Sequence, residues 1–306
     1  MDDLISTLQQ EGLIQDTNIF YADDCDFINQ DKKVLDAIKT RGPIILAKWN
    51  LKMNPDKTEE FDIGNGDMTW KKSKKLGTLL GEEAELVARK NKAEQVLSEC
   101  KVFWNKKHGM SNALKIRLFK VLIESVLLYN CGTWALTNSQ LDSLDAFYRG
   151  MTRRVVGIFY PKKISCNALY KRTGIDKLGP KVAKARILLF GKILRGDANS
   201  PGLFWLREFF RSDDLGRRRG RTALSLVQVL KNDLKLSDVE LETMDDLDRL
   251  TTIARHNGDR WSSIVERIII KANEVHIPSS VHSQDDPSHQ HYTLRNQSSR
   301  VHYLSE

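Results

Sequence analysis

Residues 18–29 read NIFYADDCDFIN, and the reading of this stretch decides how the rest of the chain is taken. Apolar Ile19 and Phe20 lead through Tyr21 and Ala22 to the adjacent carboxylates Asp23 and Asp24, and Cys25, Asp26, Phe27 and Ile28 follow. Short runs of aromatic and β-branched residues split by an Asp pair have the pattern of a β-hairpin, with Asp23 and Asp24 at its tip. Two carboxylates held side by side repel one another, and a divalent cation relieves the repulsion. Mg2+ accepts one or two protein carboxylates and keeps positions for water and substrate phosphates. In nucleotidyl transfer, two such ions clamp the attacking and leaving oxygens of an in-line displacement. An isolated Asp pair in a turn is more often merely solvated, so the surrounding segments carry the weight.

Upstream, Leu4, Ile5 and Leu8 have helical spacing and predict a short helix over residues 1–10. Downstream, Val34, Leu35, Ile38, Ile45, Leu46 and Trp49 fit one amphipathic helix over residues 32–50, with a kink or break expected at Gly42-Pro43. Leu51 to Glu59 reads as an extended piece with a turn at Asn54-Pro55, and residues 61–70 as a second hairpin around Asn65-Gly66. Lys71, Lys72, Lys74 and Lys75 then lead into a strand that ends at Gly81.

These pieces, in this order, resemble the reverse transcriptases of non-LTR (LINE-type) retrotransposons. There a YADD hairpin is followed by a helix, an L-x-x-N-x-x-K-T-E segment and a strand carrying L-G-x-x-x-G. Here the counterparts are residues 21–24, 51–59 and 76–81. The resemblance implies that Asp23 and Asp24 are catalytic and bind Mg2+, that Leu76 and Gly77 belong to a primer grip, and that Lys57 is a candidate general acid toward pyrophosphate. It also implies a thumb over residues 82–136, which would make Lys101, Lys106, Lys107, Lys115 and Arg117 phosphate contacts beside the four lysines of the 71–75 run. Such a palm needs a third carboxylate and fingers upstream, and only 20 residues precede Tyr21. The expectation is therefore a truncated RNA-directed DNA polymerase, inactive alone. The alternative is a non-catalytic module that binds RNA or DNA.

Periodicity divides the rest into helices. Leu86, Ala93, Val96, Leu97, Cys100, Phe103 and Trp104 mark one that closes at His108-Gly109. A second, over residues 113–129, is apolar over most of its surface and should be the buried centre of a bundle. Ser111 or Asn112 is placed to cap it. Further helices are expected near residues 139–157, 164–173, 178–195, 203–211, 222–235 and 259–273. Arg217, Arg218, Arg219 and Arg221 sit in a Gly-flanked loop suited to bidentate phosphate contact.

The fold class expected is α+β: a small hairpin-containing palm remnant over residues 1–81, thumb-like helices over 82–136 and a basic helical region over 137–275. Residues 276–306 hold five of the seven His and few apolar residues, the composition of a disordered tail. Charge is segregated along the chain. The net charge is +8, with 13 Lys/Arg against 5 Asp/Glu in residues 71–120 and 19 against 5 in residues 149–221. Basic blocks of this kind favour a polyanionic partner, RNA or DNA. The four cysteines lie far apart without metal-ligand spacing, and the N-terminus does not read as a signal peptide. No apolar run is long enough to span a bilayer. An intracellular protein, nuclear or cytoplasmic, is expected, and the oligomeric state is left open.

Overall fold

The structure is a computed structural model that describes residues 6–7, 9–10, 12, 19–21, 24–29, 31–61, 69–105, 109–197, 200–211 and 224–275. It has the expected α+β class: helices dominate, beside two small antiparallel hairpins. In the first, β1 (Ile19–Tyr21) pairs with β2 (Asp24–Asp26). In the second, β3 (Lys74–Lys75) pairs with β4 (Thr78–Leu79). Of the short N-terminal helix, residues 6, 7, 9 and 10 are helical.

Asp31 caps α1 (Lys32–Lys48) by accepting the Lys33 N–H at 2.9 Å. The helix does not break at Gly42-Pro43. Ile38 and Ile45, buried on either side of the Pro, pack with Phe27, Val34, Leu35 and Leu46, so both halves are held to one small cluster. Pro55–Lys57 forms a 3-10 turn capped by Asn54. Most of the hairpin expected over residues 61–70 lies outside the described residues, and its last two, Thr69 and Trp70, open a 3-10 turn instead (Thr69–Lys72).

The helical part begins with α2 (Glu82–Glu99), the short α3 (Lys101–Trp104) and α4 (Asn112–Phe119). Ser111 caps α4 with its hydroxyl on the Leu114 N–H at 3.3 Å. A π turn (Lys120–Glu124) joins α4 to α5 (Ser125–Leu127). This rod is not buried all round as its composition suggests. One stripe, Ile116, Phe119, Ile123 and Leu127, is inside, whereas Leu114 and Val121 face outward. Next come α6 (Asn138–Val155), opened by a Thr137/Gln140 capping box, and α7 (Cys166–Thr173). They are followed by α8 (Leu178–Arg195), α9 (Pro201–Arg211), α10 (Leu226–Lys235), α11 (Met244–His256) and α12 (Gly258–Val275).

Two large hydrophobic clusters form, and α8 belongs to both. Leu178 and Val182 close the first, which runs back through Met151, Tyr148 and Phe119 to Leu86. Ala183, Ile187, Phe190 and Leu194 open the second, with Leu230, Leu250, Trp261 and Ile268. Arg186, 3% exposed, stands between them: it donates to the Trp134 carbonyl at 3.0 Å and to Asp233 on α10 at 2.7 Å. A second, partly buried polar link joins α6, α8 and the π turn, where Glu124 accepts from the Tyr148 hydroxyl and from Lys181 at 2.6 Å. No helix among the described residues is long and apolar enough to cross a membrane.

Candidate nucleic-acid interface

The register of the first hairpin pairs Tyr21 with Asp24, Phe20 with Cys25 and Ile19 with Asp26. Two residues therefore connect the strands, Ala22 and Asp23, and both lie outside the described residues. Asp24 is not at the tip but opens β2, exposed, and alternation places it on the same face as Asp26. The Asp26 carboxylate is engaged by Lys75 Nζ at 2.5 Å. Among the described residues no three acidic, His or Cys side chains gather into a metal-holding group. The described part of the hairpin thus supplies one exposed carboxylate, Asp24, and no step is assigned to a metal ion on its geometry.

Lys75 belongs to the second hairpin, so this ion pair joins two segments that lie 49 residues apart. The connecting residues of that hairpin, Leu76 and Gly77, both have positive φ, +48° and +80°. This is the two-residue turn whose twist matches that of the flanking strands, and Gly is its natural occupant. Leu76 occupies a left-handed conformation at a cost of about 1–2 kcal/mol, with its side chain 48% exposed.

Side chains from α2 and from the turn after α5 hold the Leu76-Gly77 turn. The Tyr129 hydroxyl donates to the Leu76 carbonyl at 3.1 Å, and Arg89 Nη2 donates to the Gly77 carbonyl. Arg89 also lies over the Tyr129 ring, 4.5 Å from its centroid. Asn130 Nδ2 donates to Thr78 Oγ1 at 3.1 Å. Beneath them Glu85, 2% exposed, accepts the Leu79 N–H at 2.7 Å and Arg89 Nε at 2.5 Å. Glu82 accepts the Ala135 N–H at 3.2 Å; burial pushes its carboxyl above the ordinary range, while that hydrogen bond and nearby Lys71 draw it back.

The third segment reaches the same place. Ser73, 5% exposed, donates its hydroxyl to Glu59 at 2.8 Å, so the Leu51-to-Glu59 stretch is tied to the start of β3. Lys57 sits in its 3-10 turn, exposed. The two-stranded unit at residues 74–79 is thus the junction of the first hairpin, the 51–59 segment and the helices that follow.

The basic candidates divide. Lys72, Lys74, Lys101 and Arg117 are exposed, and Lys71 lies 5.6 Å from the Trp70 ring centroid. Lys75 is committed to Asp26. Lys115 corrects the expectation: only 4% exposed, it donates to the Trp104 carbonyl at 3.0 Å and helps close the α3–α4 corner. Its long apolar stem lets it occupy the inner stripe next to Ile116. Lys106, Lys107, Arg217, Arg218, Arg219 and Arg221 lie outside the described residues. Arg89, Tyr129, Asn130 and Glu85 received no role from the sequence. For Glu85 and Arg89 the local signal was their spacing of four, which recurs on many helices without such a partner.

Comparison with models of known protein families, with curated protein sequences and with solved structures finds no match to this chain.

Proposed function

We propose that the chain is the primer–template-gripping part of a non-LTR retrotransposon reverse transcriptase, an RNA-directed DNA polymerase, with RNA and DNA as its partners. One observation carries the reading. The three segments that resemble that family, far apart in sequence, are tied to one hairpin: Asp26 to Lys75, Glu59 to Ser73, and Leu76-Gly77 to Arg89 and Tyr129. A turn so clamped is a rigid backbone edge against which a primer terminus can be set, and positioning is most of the catalysis in phosphoryl transfer. Asp23 and Asp24 offer the hard oxygen ligands that Mg2+ takes, the rest coming from water and nucleotide phosphates. The exposed Lys72, Lys74, Lys101 and Arg117 supply phosphate contacts that position without reading sequence.

The test is retention of an RNA–DNA template–primer across a salt series, with primer extension in Mg2+ run alongside for the wild type and Asp23→Asn. Retention that falls steeply with salt is expected, with a shallower slope in Lys72→Gln/Lys74→Gln. Extension that disappears in Asp23→Asn assigns catalysis to the hairpin. Retention without extension in either leaves gripping as the function of this chain. No retention at low salt would overturn the reading.

A further inference from the structure

Residues 149–175 contain seven Lys/Arg and no Asp or Glu, and the structure gathers part of this stretch around two exposed aromatic rings. The α6 helix ends in a left-handed cap. Gly157, at φ +72°, donates its N–H to the Arg154 carbonyl at 3.2 Å, and the Ile158 N–H reaches back to the Arg153 carbonyl at 2.9 Å. Ile158, 9% exposed, plugs into the first hydrophobic cluster. The chain then turns outward: Phe159 is 56% exposed and Tyr160 86%. The Lys162 N–H closes the turn on the Phe159 carbonyl at 2.9 Å, and Lys163 Nζ lies 6.0 Å from the Tyr160 ring centroid. Ser165, capping α7 at the Ala168 N–H, fixes the far end.

Beside this turn lies an open cleft of about 390 Å3 whose lining includes Asn112, Lys115, Gly157, Lys162 and Arg172, with no acidic residue. Lys115 spends one of its three N–H bonds on the Trp104 carbonyl. Lys162, Lys163, Lys171 and Arg172 take part in none of the ion pairs among the described residues.

We infer that this turn and cleft bind single-stranded nucleic acid, with bases stacked on Tyr160 and Phe159 and a backbone phosphate in the cleft against Lys162 and Arg172. A basic loop that is merely solvated has no use for two adjacent bare aromatic rings. Rings interleaved with cations are the arrangement by which single strands are held without sequence preference. A duplex, whose bases are already stacked, gains only the phosphate part. The inference rests on the nucleic-acid reading above but names a separate site, on the helices beyond the clamped hairpin.

The probe is a fluorescein-labelled oligothymidylate of about twelve nucleotides, within the span that such platforms hold, compared by anisotropy with a duplex of equal length. In Phe159→Ala/Tyr160→Ala, affinity for the single strand is expected to fall about tenfold or more, with duplex affinity unchanged and an unaltered circular-dichroism melt. Lys162→Gln/Arg172→Gln is expected to flatten the single-strand salt slope by about 0.7, the share of the one phosphate held in the cleft. Wild-type affinity for the single strand retained in both variants would overturn this inference while leaving the nucleic-acid reading intact. Equal losses for single strand and duplex would overturn base stacking. A wild type that binds neither probe would overturn both readings, and the exposed rings would then belong to a protein partner.

Discussion

Gly81 offers a direct test of how the basic hairpin is seated. It caps α2 at φ −89° and ψ 120°, a conformation that alanine adopts freely, so backbone strain is not at issue. Contact is. The Gly81 N–H donates to the Lys71 carbonyl at 2.8 Å, and a Cβ added to Gly81 would stand 2.7 Å from Lys71 Cβ and 2.8 Å from that carbonyl oxygen. The carbonyl is backbone and cannot swing aside, so Gly81→Ala must push the Thr69–Lys72 turn away from α2. Overpacking of this kind costs about 1–3 kcal/mol, and alanine in place of glycine at a helix N-cap adds roughly 0.5–1 kcal/mol. Against this, the unfolded chain loses freedom worth about 0.4–1 kcal/mol. The net expectation is a destabilisation of about 1–3 kcal/mol, read as a lower midpoint in equilibrium urea unfolding at unchanged slope. Template–primer retention should fall with it, because the displaced turn carries Lys71 and Lys72. Gly150→Ala is the control: it lies within α6 with nothing inside 4 Å of the added Cβ, and should stabilise by up to about 1 kcal/mol. If Gly81→Ala shifted the midpoint upward as Gly150→Ala does, the turn and α2 would not be in contact and the seating described for the hairpin would be wrong.

Two further substitutions probe the polar links between helices. Arg186→Met strands Asp233, whose carboxylate is 11% exposed, and should cost about 3–5 kcal/mol at neutral pH, part of it recovered in Arg186→Met/Asp233→Leu. Burial holds the Asp233 carboxyl above its ordinary value while Arg186 draws it back, so removing Arg186 raises it further. The contribution of a raised carboxyl is complete below its ordinary pKa and is lost as pH rises through the folded value. The deficit of the variant should therefore grow as pH rises from the folded value of wild-type Asp233 toward neutrality, and a deficit that shrinks over that range in urea midpoints would contradict the assignment. Tyr148→Phe removes a hydroxyl that donates to Glu124, leaving Lys181 on that carboxylate. A loss of about 1.5–3 kcal/mol, typical of a hydrogen bond to a charged group, is expected in the same assay, and a neutral result would mean that the link carries no load.

The parts of this fold legible in the sequence are those set by short-range periodicity. The α8 helix runs over residues 178–195 as read, because an apolar stripe of Val182, Ile187, Phe190 and Leu194 stops at Gly196. The first hairpin was legible because strand residues flank a two-residue turn. The α11 helix was missed although Thr243 and Asp246 make a capping box. Its first turn is acidic, and Leu247, Leu250 and Ile253 are sparse enough to pass for a loop. At Gly42-Pro43 the break that the local sequence allows does not occur, and Ile38 and Ile45 on either side pack into one cluster. Lys115 was taken for a surface cation because a count of charges does not say which of them point inward. The clamp on Leu76-Gly77 had no local signature, because its residues come from positions 12 to 53 apart in the chain.

The same distinction reshapes the charge argument. Taken along the chain, residues 149–221 hold a large basic excess, but acids from other segments fold onto four of its cations. Glu94 pairs with Arg154, Glu124 with Lys181, Asp233 with Arg186 and Asp248 with Arg207, and each of these four acids lies outside the block. Neutralisation is therefore uneven. It falls on α6, α8 and α9, and among the described residues the α6–α7 connection receives none of it. Among the cations left over, Lys163 lies against the Tyr160 ring, and Lys162 and Arg172 line one cleft beside the turn where Phe159 and Tyr160 stand in solvent. A partner recognised by net charge alone would be indifferent to that placement. A flexible polyanion with free π faces would not, and this is the reason that a single strand, rather than a duplex, is the ligand expected at the turn after α6.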